Sequence, residues 1–320
     1  MTKSKFINGV ADESTIRTSD FLYKYSSEFN IWFLNRLSKT VDISEYKDEI
    51  INDIENKLGP VTASSLGLFE GDALLVPEDF WVWSDYTGSA AIIMDVPNTV
   101  LLNYGTIIGK GGAGGAGTHG ESGGHAVSIT ADYVEVENYS TGIMAGGGGG
   151  GGGSAYTSGG GGAGGGNGGG SGGFMGDDQG PFYGGQGGSL NRAGTNGTGV
   201  SDLIGYGGGA GGSGGSAPDS GSKNNDPSGG GGGGGRIIPG SGAPRSGRGG
   251  GAGGSGGNPG SSSPHGEWYA GGGGGWGASG GVGGIASNTY RLAGAGGRAI
   301  NWNGRTSTVI NDGTMYGGYT

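Results

Sequence analysis

The spacing of apolar positions changes along this chain, and the changes divide it. Over residues 20–37, Phe21, Tyr25, Phe29, Trp32 and Phe33 recur at helical spacing, behind Ser19 or Asp20 as a cap. Residues 43–58 place Ile43, Ile50, Ile51, Ile54 and Leu58 on one face. Asp42 and Glu45 stand at the start of that face, and Gly59-Pro60 is a strong stop. Two short amphipathic helices are therefore predicted within the first 60 residues. They carry more aromatic surface than they can bury alone, so they dock either on the next domain or on another chain.

From about residue 66 to 145 the pattern turns to strands. Leu74 to Val76, Phe80 to Trp83 and Ala91 to Met94 are short apolar runs broken by Pro77, Gly88 and Pro97. A weak repeat follows: VLLNYGTIIGKGG at 100–112, VEVENYSTGIMAGGG at 134–148 and TVINDGTMYGG at 308–318. Each copy reads as a strand, an Asn turn (Asn103, Asn138, Asn311), a second strand and then Gly, since Asn tolerates turn conformations. The last copy is expected to return the chain to the same layer.

Beyond residue 104 the hydrophobic pattern gives way to glycine. Of the 90 Gly, only Gly9, Gly59, Gly67, Gly71 and Gly88 precede that point. The rest cluster in runs at 111–117, 146–153, 159–173, 207–215, 229–235, 249–257 and 271–284. Such runs have almost no side chains to bury, so either they are disordered or their backbones pack on one another. Collagen is excluded, because it needs Gly at every third position with much Pro, and Pro is only 10 of 320. Here it is the exceptions to Gly that often fall three apart, as in Ala113, Ala116 and His119, or Ala252, Ser255 and Asn258. A three-residue period is that of an extended polyproline-II-type helix. A net hydrogen bond contributes about 0.5–1.5 kcal/mol. Ordering a residue costs roughly 1–2 kcal/mol. One run alone should therefore be unfolded, whereas several side by side can be stable.

Charge and candidate chemistry narrow the function. A net charge of −10 disfavours nucleic acid and anionic membranes as partners. The absence of Cys removes disulfides and thiolate metal sites. Residues Met1 to Phe6 lack an apolar signal core, and no stretch reaches membrane-spanning length, so neither secretion nor membrane insertion is expected. GTIIGKG at 105–111 is one residue short of a P-loop and has Gly111 where Ser or Thr should bind magnesium. The three His (His119, His125, His265) are isolated in sequence. No catalytic constellation, metal site or cofactor is expected.

The segments between the runs differ in character. Residues 174–206 carry Phe174, Met175, Phe182, Tyr183, Leu203, Ile204 and Tyr206. Residues 236–248 carry Arg236, Ile237, Ile238 and Arg245, and residues 285–293 carry Ile285, Tyr290, Arg291 and Leu292. If consecutive runs go up and down, these three segments gather at one end. The small or mixed segments 154–158, 216–228 and 258–270 gather at the other. Aromatic, aliphatic and Arg side chains are the types enriched in binding hot spots.

This alternation resembles the distal tail-fibre adhesins of T-even-like bacteriophages over roughly residues 105–299, with the repeated GGGAGGSGG at 207–215 and 249–257 and the long runs at 146–153 and 159–173 as its specific signals. The resemblance implies a non-enzymatic virion protein at the tip of a trimeric tail fibre. It implies that the protein is made in the host cytoplasm and binds a bacterial outer-membrane protein or lipopolysaccharide. The receptor contacts would be Phe174, Met175, Phe182, Tyr183, Leu203, Tyr206, Arg236, Ile237, Ile238, Arg245, Tyr290 and Arg291. Phe21, Tyr25, Phe29, Trp32 and Phe33 would serve fibre attachment, through a tip-capping monomer or a trimer. The fold expected is short N-terminal helices (1–60), a small β-strand layer (61–145), stacked polyglycine-II helices joined by exposed loops (146–299), and a C-terminal strand pair (300–320). The competing reading is a structural glycine-rich surface or wall protein that self-associates.

Overall fold

The computed structural model describes residues 31–33, 60–78, 80–84, 86–115, 118–153, 159–164, 175–177, 180–182, 257–262, 270–286 and 289–320. Their architecture is a coil of parallel sheets. A lone strand, β1 (Ile31–Phe33), precedes four turns of chain. The first turn is β2 (Val61–Thr62), β3 (Ala73–Val76) and β4 (Trp81–Trp83). The second is β5 (Ile92–Met94), β6 (Val100–Asn103) and β7 (Thr106–Ile108), and the third is β8 (Val127–Ile129), β9 (Val134–Asn138) and β10 (Ile143–Ala145). Two hairpins interrupt the coil, β11 (Met175–Asp177) with β12 (Gly180–Phe182) and β13 (Gly283–Ala286) with β14 (Thr289–Arg291). The fourth turn is β15 (Ile300–Asn301), β16 (Ser307–Asn311) and β17 (Thr314–Tyr316). Equivalent strands of successive turns pair in parallel, in the orders β15-β8-β5-β2, β1-β3-β6-β9-β16 and β17-β10-β7-β4.

The register explains the core. Leu74, Leu101, Val136 and Val309 align across the second sheet, and Val82, Ile107, Met144 and Met315 across the third. Ile92, Val127 and Ile300 align across the first. These columns meet in one hydrophobic core inside the coil. In the second sheet the alternate residues Ala73, Leu75, Val100 and Leu102 are also buried. With both faces covered, β3 and β6 read as unbroken apolar runs rather than alternating ones, as parallel strands do. At the corner between the first and second sheets, Gly71, Asn98 and Tyr133 take φ of 83°, 51° and 60°. Each stands two residues before a paired position of β3, β6 or β9, so the same left-handed bend recurs turn after turn.

The expected fold class is overturned. Among the described residues there is no α-helix, and Ile31–Phe33 is a strand paired with Ala73–Leu75 where a helix over 20–37 was expected. The helix expected over 43–58 lies outside the described residues. In place of N-terminal helices, a small layer and stacked polyglycine-II helices, parallel sheets wound as a solenoid set the architecture. Two features hid it. The strands are only two to five residues long, so Ile-Trp-Phe fits a strand as well as a helix. Unequal excursions between turns, at 84–91, 109–126 and 146–299, also erase any fixed period.

The three copies of the weak repeat are β6–β7, β9–β10 and β16–β17, stacked on one another. Their asparagines form a ladder. Asn103 Nδ2 donates to Asn138 Oδ1 at 2.7 Å, and Asn138 Nδ2 donates to Asn311 Oδ1 at 2.8 Å. Asn103 is paired in register with Val76 of the turn before, so the ladder ends there. Its Oδ1 is buried with no hydrogen-bond partner. Burying an amide is favourable only where its bonds are kept, and stacking identical turns keeps all but this last one.

Candidate functional site

All three excursions leave from the end of the third sheet and return to the start of the first. The second begins where β7 ends. Gly109 N–H donates to Ala145 O, Gly112 to Gly148 O and Gly115 to Gly151 O, so 109–115 runs alongside 145–151. The chain then returns beside itself, with Glu121 N–H on Ala113 O and Gly124 N–H on Lys110 O. The third excursion opens with 146–153, which lies among several neighbours. Gly147, Gly148 and Gly149 donate to Gly124, Ala163 and Ala278. Gly150, Gly151 and Gly152 then donate to Glu121, Gly160 and Gly281 in the same rotation. The carbonyls of Gly147, Gly148 and Gly149 accept from Gly297, Gly112 and Gly274. Side chains are excluded by this approach. A Cβ on Gly150 would stand 1.9 Å from the carbonyl oxygen of Ala113.

The β13–β14 hairpin rests on the end of that run. A Cβ on Gly283 would lie 2.1 Å from Gly153 O, and one on Gly152 would lie 2.0 Å from Arg291 O. Arg291 is half-buried, and its Nε is buried without a hydrogen-bond partner. Leu292, the next residue, is 58% exposed. The chain then runs back towards β15 as a return limb, 291–299. His119 Nδ1 accepts from Leu292 N–H at 2.8 Å, and His125 Nδ1 accepts from Arg298 N–H at 3.0 Å. Burial, and then the Arg298 charge, hold the His125 pKa below its ordinary 6.5.

Of the residues expected to bind a receptor, the structure pairs Met175 with Phe182 across β11–β12 and places Tyr290 opposite Ile285 and Arg291 opposite Gly283 across β13–β14. Phe174, Tyr183, Leu203, Tyr206, Arg236, Ile237, Ile238 and Arg245 lie outside the described residues. Of the attachment residues, Trp32 and Phe33 lie in β1, in register with Leu74 and Leu75; Phe21, Tyr25 and Phe29 lie outside. Sequence reasoning missed the pairing of His119 and His125 with one limb. The signal was there, since His119, Ser122 and His125 keep the three-residue spacing.

No group of three or more His, Cys, Asp or Glu able to hold a metal occurs among the described residues. No helix among them is long and apolar enough to cross a membrane. Residues 72–227 match the family model described as phage tail fibre adhesin Gp38. That span shares 105–227 with the region of resemblance read from the sequence and extends it back into β3. The crystal structure of the gp37-gp38 adhesin tip complex of the bacteriophage S16 long tail fiber is similar over 99% of this chain and 97% of its own, at 18% identity and a TM-score of 0.40. No curated protein matches.

Proposed function

We propose that this chain, a phage tail-fibre adhesin by its family match over residues 72–227, sits at the tip of a trimeric fibre. There it binds a bacterial outer-membrane protein or lipopolysaccharide through the segments between its glycine runs. That match carries the reading, and the geometry supports it. The coil supplies a rigid body, and the glycine excursions issue from one corner of it. A preorganised display lowers the ordering cost of binding.

The contacts assigned are those of 174–206, 236–248 and 285–293, with Arg291 as the cation that meets an oxygen of the receptor. Binding, not bond cleavage, is the proposed activity, so incubation with host glycans should release no fragments. Trp32 and Phe33, with the rest of the first 60 residues, are assigned to fibre attachment.

Exchanging 174–206 for an unrelated segment of equal length tests the division between display and scaffold. Adsorption to host cells should be abolished, with the melting temperature nearly unchanged. Parallel loss of fold and adsorption would contradict it.

A further inference from the structure

The return limb is held by two kinds of bond. Its carbonyls at Leu292, Ala295 and Arg298 accept from the N–H groups of Gly120, Gly123 and Ala126 at 2.9–3.0 Å, one every three residues. Its N–H groups at Gly294 and Gly297 donate to the carbonyls of Gly150 and Gly147, whereas those at Leu292 and Arg298 are satisfied by imidazole nitrogens, at 2.8 and 3.0 Å. A ring nitrogen that accepts an N–H must carry a lone pair. Each contact is a hydrogen bond only with the ring neutral and its proton on Nε2. Protonation of Nδ1 turns the acceptor into a donor facing another donor.

We infer that His119 and His125 form an acid-labile clasp that fastens the return limb, and with it the base of the β13–β14 hairpin, to residues 118–126. Two rings six residues apart hold the limb near both ends, so acid removes those two contacts while the backbone bonds between them, such as Gly294 and Gly297 N–H on Gly150 and Gly147 O, remain. The limb begins at Arg291, the last residue of β14, so loosening it reaches the strand that carries Tyr290 and Arg291. The clasp stands on geometry and does not depend on which receptor the hairpin meets.

Surrounding charges set the direction. On the return limb, the Arg298 charge disfavours a second positive charge on His125, after burial. Arg298 itself bonds Asn301 Oδ1 and the Thr320 carbonyl oxygen. On the clasping limb, Glu121 is engaged by the Thr87 hydroxyl and by Ala113 N–H. Lys110 stands on the outgoing limb, and residues 86–91, which bond His125 O through Ala91 N–H, add Tyr86. The run 146–153 contributes no charge. Because the fold holds the His125 pKa below 6.5, its contribution is complete above 6.5 and is lost as pH falls through the depressed value.

Amide exchange by NMR on the full chain tests this at about pH 8 and about pH 5, corrected for the intrinsic exchange rate. Protection at Leu292 and Arg298 should fall at least about tenfold in acid while Leu101 and Leu102 stay protected. The double variant His119→Gln/His125→Gln keeps an acceptor that cannot titrate, and should hold its protection at both pH values. Unchanged protection in the unaltered chain, or equal loss in the double variant, would overturn the clasp. Should the variant not fold, imidazole nitrogen shifts of the unaltered chain decide. Nε2–H tautomers on both rings at about pH 8 support the clasp, and an Nδ1–H tautomer on either ring overturns it.

Discussion

The coil and the glycine excursions solve the same problem with opposite means. In the coil, each turn buries a column of side chains against the next, and backbone bonds merely keep the columns in register. In the excursions there is almost nothing to bury, and the backbones come so close that carbonyl oxygens occupy the space where Cβ atoms would be. Each region is therefore vulnerable in its own way. The coil is hurt by removing atoms, and the glycine segments by adding them.

The largest expected effect is in the coil. Leu101 is 0% exposed at the centre of the core. Leu101→Ala should lose about 2–5 kcal/mol, through lost transfer energy and the cavity left behind. A urea midpoint that barely moves would show that the coil is not packed through its columns. Next is Gly150→Ala, the opposite operation. Its methyl would meet the Ala113 carbonyl at 1.9 Å. Overpacking of this kind loses about 1–3 kcal/mol, with the shift read at the thermal midpoint. Neutrality there would break the contrast between the regions.

A loss of similar size is expected at the asparagine ladder. Asn138→Ala removes the nearer acceptor of the Asn103 amide, which is 0% exposed and keeps only a 3.4 Å bond to the Ile143 carbonyl. Leaving such a group unsatisfied costs about 1–3 kcal/mol. The smallest effect has the opposite sign. Tyr133 holds a φ of 60° where the turn before has Asn98 and the first has Gly71. A left-handed conformation costs an ordinary residue roughly 1–2 kcal/mol, so Tyr133→Gly should raise the denaturation midpoint. A fall would mean that the exposed Tyr133 ring contributes more than its backbone strain removes.

Much of the coil was legible in short pieces. The runs at 74–76, 80–83 and 91–94 are strands β3, β4 and β5 within a residue or so. The three Asn-containing repeats are stacked turns. What was not legible is how the pieces associate, because parallel pairing joins residues separated by an excursion as long as 146–299. The aromatic spacing around Trp32 and Phe33 satisfied a helix, yet partners at Leu74 and Leu75 make those residues a strand. No local signal distinguishes the two. At the candidate site, Tyr290 and Arg291 were visible as side chains of the right kind. The unpartnered Nε of Arg291 and the row formed by His119 and His125 exist only once the limbs are adjacent.

If backbone hydrogen bonding holds the run 146–153 as firmly as side-chain packing holds the coil, amides in the two regions should be protected alike. Site-resolved amide exchange at Gly147 to Gly152, compared with Leu101 and Leu102, measures it most directly. Each of these six glycine amides donates to a different neighbouring backbone carbonyl at 2.6–2.9 Å. Slow exchange is expected at all six, within about tenfold of the two leucines. Exchange at the rate of an unprotected chain, with the leucines still slow, would contradict it.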